Sequence, residues 1–538
     1  MNVTMALLEI RSGLPGFTGY YAEGVASIAG LVRQAGHNFR LMHITRPMDP
    51  DEFAERVAAS DPQLVCFSCM THTFPYLKSF SKAVKKRLPN VPTLMGGVHA
   101  ILSPEESIRV DGLDAVCQGE GESVIVDVLR RIEDKKSLTD VLGLYVKENG
   151  VIRKNPNAPM IEELDSLPMP DRSVFDFERL VSTKEGVLYV FCSRGCPYKC
   201  PFCSNEAIRD QFPNSNRYLR YKSVERVCDE IESSLKYFPN GLMGIYFQDE
   251  ILTLKKSWFE HFAEVYPKRI GLPYNCNLRA DNVKPRTAEL LGKSGCNSVS
   301  IGLESGSERI RKAVVGKDIP DREFETAFEL LHAQGIQVNT FNMIGLPGET
   351  PAEALRTAFF NATSKSDKTM VSIFCPYPGT PLHKEVVANG ILSERMPDTY
   401  SEDTPLDQES ISASQVRFIH DFFGLIVRLR RSKWPGAAIE KPLLKLVERD
   451  GLTIRALVRA KRVAKFLLSA PYMAFGRLFY NRQSEVFRKG AVSCEHLVGP
   501  TRMPEVAAPA ASLLDARGGL TVINSGSSCG TPKETTLV

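Results

Sequence analysis

Three cysteines within eight residues constrain this 538-residue chain more than any other feature. Cys196, Cys200 and Cys203 follow a C-x3-C-x2-C spacing, which can turn three sulfurs toward one centre. Cluster irons bind thiolates, and a four-iron cluster normally takes four of them. Three ligands leave one iron open to a small molecule, so the spacing predicts a catalytic iron-sulfur cluster. A structural zinc site is the alternative, but it usually needs two ligand pairs, and no second pair follows nearby.

The residues around these cysteines resemble the cluster motif of the radical S-adenosylmethionine (radical SAM) superfamily, including the aromatic Phe202 just before the third cysteine. The resemblance implies that Cys196, Cys200 and Cys203 are the cluster ligands. It also implies that SAM chelates the open iron through its amino and carboxylate groups and is cleaved there. Cys192, at the end of a predicted strand, is interpreted as a bystander.

The composition is that of an ordinary folded protein, with 43% hydrophobic and 24% charged residues. At this length we expect two or three domains. The net charge of +4 is too small to indicate nucleic-acid binding. We find neither a signal-peptide pattern nor an apolar run of the roughly 18 residues that span a bilayer. The 13 scattered cysteines do not predict a disulfide framework, so we expect a reducing cytoplasm.

Apolar strands alternate with helical patterns over residues 1–145, which predicts a parallel sheet covered by helices. Gly96 and Gly97 follow one of these strands, and Gly119 and Glu120 follow another. The carboxyl ends of parallel strands are where such sheets bind ligands. The glycines would let a bulky ligand approach the backbone, and the glutamate would accept hydrogen bonds from it. Tight turns alone are the alternative.

This half of the chain resembles the cobalamin-binding domain that precedes many radical SAM cores. The shared pattern comprises Gly96-Gly97-Val98-His99, Pro104-Glu105-Glu106, Asp114-Ala115-Val116 and Gly119-Glu120-Gly121-Glu122. The resemblance implies a Rossmann-like fold that binds cobalamin at Gly96, Gly97, Gly119 and Glu120. One departure is that no Asp-x-His-x-x-Gly loop follows the first strand. No histidine from that motif is therefore available beneath the cobalt.

Residues 146–184 contain recurrent prolines and no long helical period, so we predict a surface linker there. Strands and helices then alternate through six repeats over residues 185–395, which predicts a partial (β/α)6 barrel of the TIM type. Active sites of such barrels lie at the carboxyl ends of the strands. The residues at the predicted strand ends are Asp249 and Glu250, Arg279, Glu304 and Ser305, and Gly345.

Each of these strand ends offers a different interaction. Paired acids can hold an ammonium group, and Arg279 can pair with a carboxylate through two hydrogen bonds. The superfamily resemblance assigns the acids at 249 and 250 to the methionine amino group of SAM. It also places SAM contacts at Glu304 and Ser305. Gly345 begins a Gly-Leu-Pro-Gly-Glu-Thr turn that the resemblance places near adenine, where glycine would permit close approach.

Residues 396–490 are predicted to form a helical extension. Between residues 416 and 489 it carries 17 Lys and Arg against 5 Asp and Glu, together with many apolar residues. This pattern is typical of a helix on an anionic membrane, of a basic wall around a lipid-like substrate, or of a cap over the barrel with a solvated basic face. Residues 491–538 are rich in Ser, Gly, Pro and Thr, which predicts a disordered tail.

Together the motifs resemble the class B, cobalamin-dependent radical SAM methyltransferases. The resemblance implies methylation of an unactivated carbon in a small or lipid-like metabolite. The expected cofactors are a [4Fe-4S] cluster, SAM and cobalamin. Besides the substrate, the expected partner is an electron donor of the flavodoxin or ferredoxin type, and no nucleic acid is expected. The expected location is the cytoplasm, with peripheral contact at the inner membrane face.

Three alternatives stay open. A ring-forming or oxidative enzyme, such as the anaerobic magnesium-protoporphyrin ester cyclase, shares this domain order and these cofactors. A tRNA methylthiotransferase would carry a second three-cysteine cluster domain, but Cys66, Cys69 and Cys117 lie in or beside predicted strands. A non-catalytic corrinoid or iron-sulfur carrier would hold its cofactor without cleaving SAM.

Overall fold

The computed structural model describes residues 1–11, 16–393 and 403–461, together with two short strands near the carboxyl end. Residues Met1–Gly490 form one compact unit, and Ala491–Val538 form a second. In the second unit, Leu513–Leu514 and Leu520–Thr521 pair as antiparallel strands. Apart from those strands, the predicted disordered tail lies outside the described residues, as does the predicted helix beyond residue 461.

The amino-terminal part of the first unit is a seven-stranded sheet in the order β2-β1-β3-β4-β5-β6-β7. Strands β1 to β5 are parallel, and β6 and β7 are antiparallel to their neighbours. The elements are β1 (Asn2–Leu8), α1 (Glu23–Gln34), β2 (Asn38–Ile44), α2 (Pro50–Ala58), β3 (Leu64–Cys69), α3 (Phe74–Arg87), β4 (Thr93–Gly96), α4 (Val98–Leu102), α5 (Pro104–Ile108), β5 (Ala115–Cys117), α6 (Ile125–Glu133), β6 (Leu144–Glu148) and β7 (Val151–Lys154).

Burial on both faces of the sheet explains its sequence pattern. Val3 and Met5 of β1 pack in the cluster that contains α1 and α6, whereas Ala6 and Leu8 pack in the cluster with α2 and α3. Strands covered on both faces become continuous apolar runs, as β1 and β3 are. The prediction of a parallel sheet covered by helices is therefore confirmed.

The predicted linker at 146–184 begins with two strands that the sequence reading missed. Asn149 and Gly150 have φ angles of 52° and 77°, the conformation of a two-residue hairpin turn. They join β6 to β7, and this hairpin extends the sheet beyond β5. All four side chains of β7 are exposed, so its sequence lacks the apolar alternation that identifies a strand.

The second part of the unit is a six-stranded parallel half-barrel in the order β15-β14-β13-β12-β11-β8. This confirms the predicted partial barrel. Its elements are α7 (Val181–Lys184), β8 (Val187–Val190), β9 (Ser193–Arg194), α8 (Ser204–Arg209), β10 (Arg220–Tyr221), α9 (Val224–Ser234), β11 (Gly244–Phe247), α10 (Lys256–Arg269), β12 (Tyr274–Leu278), α11 (Pro285–Lys293), β13 (Cys296–Glu304), α12 (Glu308–Ala313), α13 (Asp321–His332), β14 (Gln337–Ile344), α14 (Pro351–Thr363), β15 (Lys368–Ile373) and α15 (Pro381–Ala388).

Helices α16 (Ala413–Arg431) and α17 (Glu440–Glu448) follow, and the described residues 452–461 are helical as well. Their apolar faces share one core cluster with α14 on the outside of the half-barrel, including Phe423 of α16 and Val447 of α17. The described part of the helical extension therefore packs beside the barrel, against α14. The cap over the barrel mouth, one of the three alternatives, stays a prediction. Arg431, the last residue of α16, donates to the carbonyl of Asn361 in the last turn of α14.

Buried charges join the two sheets. Glu23 of α1 pairs with Lys222 (2.8 Å) and with Arg172 (3.4 Å), and Lys222 also pairs with Glu230 of α9 (2.6 Å). Burial raises the pKa of Glu23, but the two cations more than offset it and hold the pKa at about 2. Because this pKa lies below that of the unfolded chain, the ion pairs contribute fully above pH 4.5. Their contribution is lost as the pH falls toward 2.

Replacing Lys222 with Met should lower the free energy of unfolding by about 3–5 kcal/mol, because it leaves two carboxylates buried without their shared cation. The control is Arg269→Met, which removes a partly exposed contact with Asp229 and Glu232. The control should lose about 1 kcal/mol or less. Urea denaturation at pH 7 measures both variants, and equal losses would show that the buried pairs do not hold the sheets together.

Candidate functional site

The cysteine loop follows β8, the first strand of the half-barrel. Cys200 is buried, whereas Cys196 and Cys203 are partly exposed. The loop turns back on itself, because the backbone N–H of Cys203 donates to the carbonyl of Cys200 (2.9 Å). At Gly195, φ is +91° and a Cβ would lie 2.3 Å from the carbonyl oxygen of Tyr218. Only glycine fits directly before the first cysteine of the motif.

Hydrogen-bond donors approach two of the three sulfurs. Arg279 Nη1 lies 3.9 Å from Cys200 Sγ, and Asn205 Nδ2 lies 3.8 Å from Cys203 Sγ. Burial raises the pKa of the Cys203 thiol to about 12, so a positive partner is needed to form the thiolate. Iron supplies that charge, and donors to sulfur tune iron-sulfur clusters. The three thiols and their donors therefore fit the predicted cluster.

Across the described ranges, no three His, Cys, Asp or Glu side chains converge closely enough to hold a single metal ion. The ligands of a four-iron cluster each bind a different iron and do not have to meet at one point.

The two acids after β11 have different environments. Asp249 is buried and accepts the backbone N–H of Cys192 (3.1 Å) and the hydroxyl of Ser193, so it holds the start of the cysteine loop. Glu250 is open to solvent, yet burial among its neighbours raises the pKa of its carboxyl. Of the predicted pair, Glu250 has the accessible carboxyl and Asp249 does not. The contact of Glu250 with an ammonium group stays a prediction.

Arg279 already has a carboxylate partner, which is Asp281 of its own turn (2.9 and 3.0 Å). Its guanidinium also packs over the ring of Tyr198 at 4.0 Å, two residues after Cys196. The sequence predicted a bidentate contact with a ligand carboxylate. The structure instead gives Arg279 contacts that support the cysteine loop.

Glu304, the last residue of β13, and Ser305, the residue after it, have different partners. Glu304 has a φ of 65°, which is strained for a side-chain-bearing residue, and pairs with Lys317 at 2.6 Å. Lys317 in turn lies 6.0 Å from the ring of Phe202, so this ion pair adjoins the cysteine loop. Ser305 is fully buried and lies 3.5 Å from the hydroxyl of Thr357 in α14. The structure therefore brings Glu304, but not Ser305, to the predicted site.

Gly345 adopts a φ of +78°, and its backbone N–H donates to the carboxylate of Glu349 (2.7 Å). A Cβ at this position would lie 3.2 Å from Val416 of α16. The sequence predicted that glycine here admits adenine. The close approach that the structure records is to the carboxyl-terminal helix instead.

A cavity of about 600 Å³ lies between the two sheets. Its first wall contains Gly96, Gly97 and Gly119, and its opposite wall contains Phe191, Ser193, Arg194, Lys222 and Gln248. A Cβ at Gly96 would meet no protein atom within 4 Å, so glycine keeps this wall flat and open. Gly97 has a φ of +91°, and its Cβ would lie 2.8 Å from the backbone of Cys69. A flat wall of backbone fits a broad macrocyclic ring such as a corrin.

Glu120 lines the same cavity but already has partners. It accepts hydrogen bonds from Arg194 (3.0 Å), from Arg220 (2.9 Å) and from the backbone N–H of Ile161 (2.8 Å). The sequence predicted that Glu120 binds a ligand. Both arginines were missed because contacts between residues so far apart in the chain leave no local pattern.

Cysteines outside the motif lie in the apolar interior, among them Cys192 and the three that a methylthiotransferase would need for a second cluster. Cys66, Cys69 and Cys117 are buried in β3 and β5, and burial raises the pKa of each thiol to about 12. They do not form the separate cluster loop that a methylthiotransferase would need. Cys192 is fully buried in the core that the two sheets share, as expected for a bystander.

Family comparisons match two parts of the chain. Residues 20–129 match the B12 binding domain, and residues 190–360 match the radical SAM superfamily. The first match covers the glycine wall of the cavity, and the second covers the cysteine loop.

Similar proteins include methyltransferases and a cyclase. A Pyrococcus horikoshii protein named as an uncharacterized methyltransferase is 29% identical over 372 residues, covering 69% of this chain and 79% of its own. The anaerobic magnesium-protoporphyrin IX monomethyl ester cyclase of Rubrivivax gelatinosus is 25% identical, covering 67% of this chain and 65% of its own. The solved structure of OxsB, a cobalamin-dependent SAM radical enzyme with aqua-cobalamin and SAM bound, shares the fold with a TM-score of 0.62 at 17% identity. That likeness covers 87% of this chain and 75% of OxsB.

The Glu349→Gln variant should gain stability relative to the native protein as the pH rises. Burial raises the pKa of Glu349 to about 8, whereas in the unfolded chain this carboxyl has its ordinary pKa of 4.5. Between pH 4.5 and 8 only the unfolded chain has released the proton, so rising pH favours the unfolded state and the native protein loses stability. Across that range the difference in unfolding free energy should grow by about 4 kcal/mol.

The matched control is Glu353→Gln, four residues along the same segment. The pKa of Glu353 is lowered to about 2, because its ion pair and hydrogen bonds outweigh burial. Its effect on stability should therefore not change between pH 5 and 8. Parallel curves for all three proteins would contradict the assignment of a neutral carboxyl at Glu349.

Proposed function

Because the chain belongs to the radical SAM superfamily and carries a B12-binding domain ahead of its radical SAM domain, we propose that it is a cobalamin-dependent methyltransferase. One observation carries this proposal. The wall of the cavity opposite Gly96 and Gly97 includes Ser193 and Arg194, which lead directly into Cys196. A corrin in the cavity would therefore lie beside the cluster.

The cysteine loop is proposed to hold the cluster and SAM. Cys196, Cys200 and Cys203 would bind three irons, and Glu250 would receive the ammonium group of SAM. When bound, the cluster supplies the electron that cleaves SAM, and the corrinoid supplies the methyl group. An external donor of the flavodoxin or ferredoxin type is proposed to deliver that electron.

The chain's own contribution is to position these groups and exclude water. Asp249 holds the start of the loop, Arg279 supports its middle, and the Glu304–Lys317 pair packs beside its end. Arg279 pairs with Asp281 and Glu304 pairs with Lys317, whereas Asp249 is held by hydrogen bonds from the loop itself. The proposed domain limits are those predicted above, with the β6–β7 hairpin added to the first domain.

The substrate is proposed to be an apolar or lipid-like molecule. Met343, Phe341 and Met370 share one face of β14 and β15, because the register pairs Phe341 with Met370 and each strand alternates. Val371, on the opposite face, packs against the α16 cluster, so the first three face the inside of the half-barrel. Met370 is 58% exposed. An apolar surface that open suits an apolar ligand.

A second function, ring formation by a cyclase, is favoured by the Rubrivivax relative. Both reactions start from the same cofactors, so the product distinguishes them. A methylated product with S-adenosylhomocysteine supports the methyltransferase, and an unmethylated cyclic product would support the cyclase.

Cys200→Ala should abolish the cluster, whereas Cys192→Ala should keep it. The native protein should bind about four irons per chain after anaerobic reconstitution. With the cluster reduced, it should form 5′-deoxyadenosine from SAM and transfer label from methyl-labelled SAM to product. Iron analysis and mass spectrometry measure these outcomes. Cluster loss in the Cys192 variant alone would overturn the ligand assignment, and no deoxyadenosine from the native protein would favour a non-catalytic carrier.

Peripheral contact with an anionic membrane is proposed for the helical extension. Lys441 and Lys445 of α17 are exposed, and the segment that follows is rich in further basic residues. In the described part of the chain, no helix is both long and apolar enough to cross a bilayer. Deleting the extension would uncover the core around Val447. Charge reversal at the surface is therefore the sharper test.

Lys441→Glu with Lys445→Glu should weaken binding to phosphatidylserine vesicles by about 30-fold, since each basic residue near the surface contributes about 1 kcal/mol. Lys82→Glu with Lys86→Glu on α3 changes the net charge equally and serves as the control. Co-sedimentation measures both pairs. Equal binding by the two double variants would contradict a membrane contact through α17.

A further inference from the structure

Arg194 connects the cysteine loop to the wall of the corrinoid cavity. It lies in β9 two residues before Cys196, and its guanidinium donates to Glu120 (3.0 Å) and to Glu122 (2.7 Å). Both acids follow β5 in the B12-binding part of the chain. All three side chains line the cavity, so a molecule that fills the cavity contacts this ion pair directly.

A second arginine completes the arrangement. Strand β9 pairs with β10, which places Arg220 opposite Arg194, and Arg220 also donates to Glu120 (2.9 Å). The side chains of Glu122 and Arg220 are only 6% and 5% exposed. Two cations thus neutralise two carboxylates away from water. Moving one member leaves an uncompensated buried charge, so the four groups resist separation.

The backbone before Cys196 is held from the other side as well. Asp249 of the radical SAM part accepts the N–H of Cys192 and the hydroxyl of Ser193. Gly195 packs against the carbonyl of Tyr218 with no room for a Cβ. The segment cannot absorb a shift of Arg194 by bending freely. If a ligand moves the carboxylate of Glu120 or Glu122, Arg194 moves with it, and the backbone of Cys196 two residues later shifts as well.

We propose that Arg194 is a positioning residue that couples occupancy of the corrinoid cavity to the cysteine loop. The proposal rests on the proposed function, because it takes cobalamin as the ligand of the cavity. Coupling between two sites is reciprocal: each cofactor must bind more tightly when the other is present. Ion pairs that only stabilise the fold would leave the two affinities independent.

The test measures the dissociation constant of hydroxocobalamin by anaerobic absorbance titration. Each protein is titrated with its cluster reconstituted and, separately, in a form that carries Cys196→Ala, Cys200→Ala and Cys203→Ala. The native protein should bind hydroxocobalamin about 5- to 150-fold more tightly when the cluster is present. Arg194→Gln should bring that ratio close to one. Arg269→Gln, at a surface ion pair remote from the cavity residues, should keep it.

A second readout is the electron paramagnetic resonance spectrum of the reduced cluster. Hydroxocobalamin should change this spectrum in the native protein and not in Arg194→Gln. If that variant does not fold, Glu122→Gln replaces it in the test. Arg194 keeps its contact with Glu120 in Glu122→Gln, so the affinity ratio should fall partway toward one. A ratio of one in the native protein, or an unchanged ratio in the variants, would overturn the proposal. Methyl transfer by a native protein whose affinity ratio is one would contradict only this inference. A high affinity ratio without methyl transfer would contradict only the proposed function.

Discussion

Buried ion pairs between the two parallel sheets set the geometry on which the site depends. Glu23 of α1 and Glu230 of α9 share Lys222, and the acids after β5 share Arg194 and Arg220. An apolar contact between the sheets would permit many relative orientations with similar energy. Buried charges permit few, because a misplaced partner leaves a charge without compensation. The sheets therefore meet with the carboxyl ends of their strands around one cavity.

Because the two parts of the chain meet at this cavity, residues predicted to bind a ligand in one part form hydrogen bonds and ion pairs with residues of the other. Glu120 follows β5 of the first sheet, yet its carboxylate is occupied by Arg194 of β9 and Arg220 of β10, which belong to the other part of the chain. Conversely, Arg194 and Gln248 belong to the half-barrel but line the cavity beside the glycines of the first sheet. Neither part forms the cavity alone. The cofactor that fits it is one large enough to touch both.

Strand-end residues illustrate how far local pattern extends. Asp249 and Glu250 are adjacent acids after the same strand, and the sequence assigned them one role. In the structure Asp249 is buried against the cysteine loop, whereas Glu250 is exposed. Glu304 and Ser305 likewise have different partners. The sequence predicts which residues lie at the end of a strand, but it does not predict which residues their side chains contact.

The sequence by itself was enough to predict the two sheets covered by helices, the order of most of their strands along the chain, and the three cysteines of the motif. Periodicity and residue spacing are patterns of short stretches of chain, so they can be recognised without the tertiary structure. It also located Gly96 and Gly97, since a strand followed by glycines is a local signal. Only the tertiary structure decided which polar residues are already paired, as with Arg279 and Glu120, and that Gly345 packs against α16. The hairpin β6–β7 also needed it, because the exposed strand β7 lacks apolar alternation. Most of these contacts join residues far apart in the chain. Their energies depend on how deeply the residues are buried in the folded protein, which a local sequence pattern does not show.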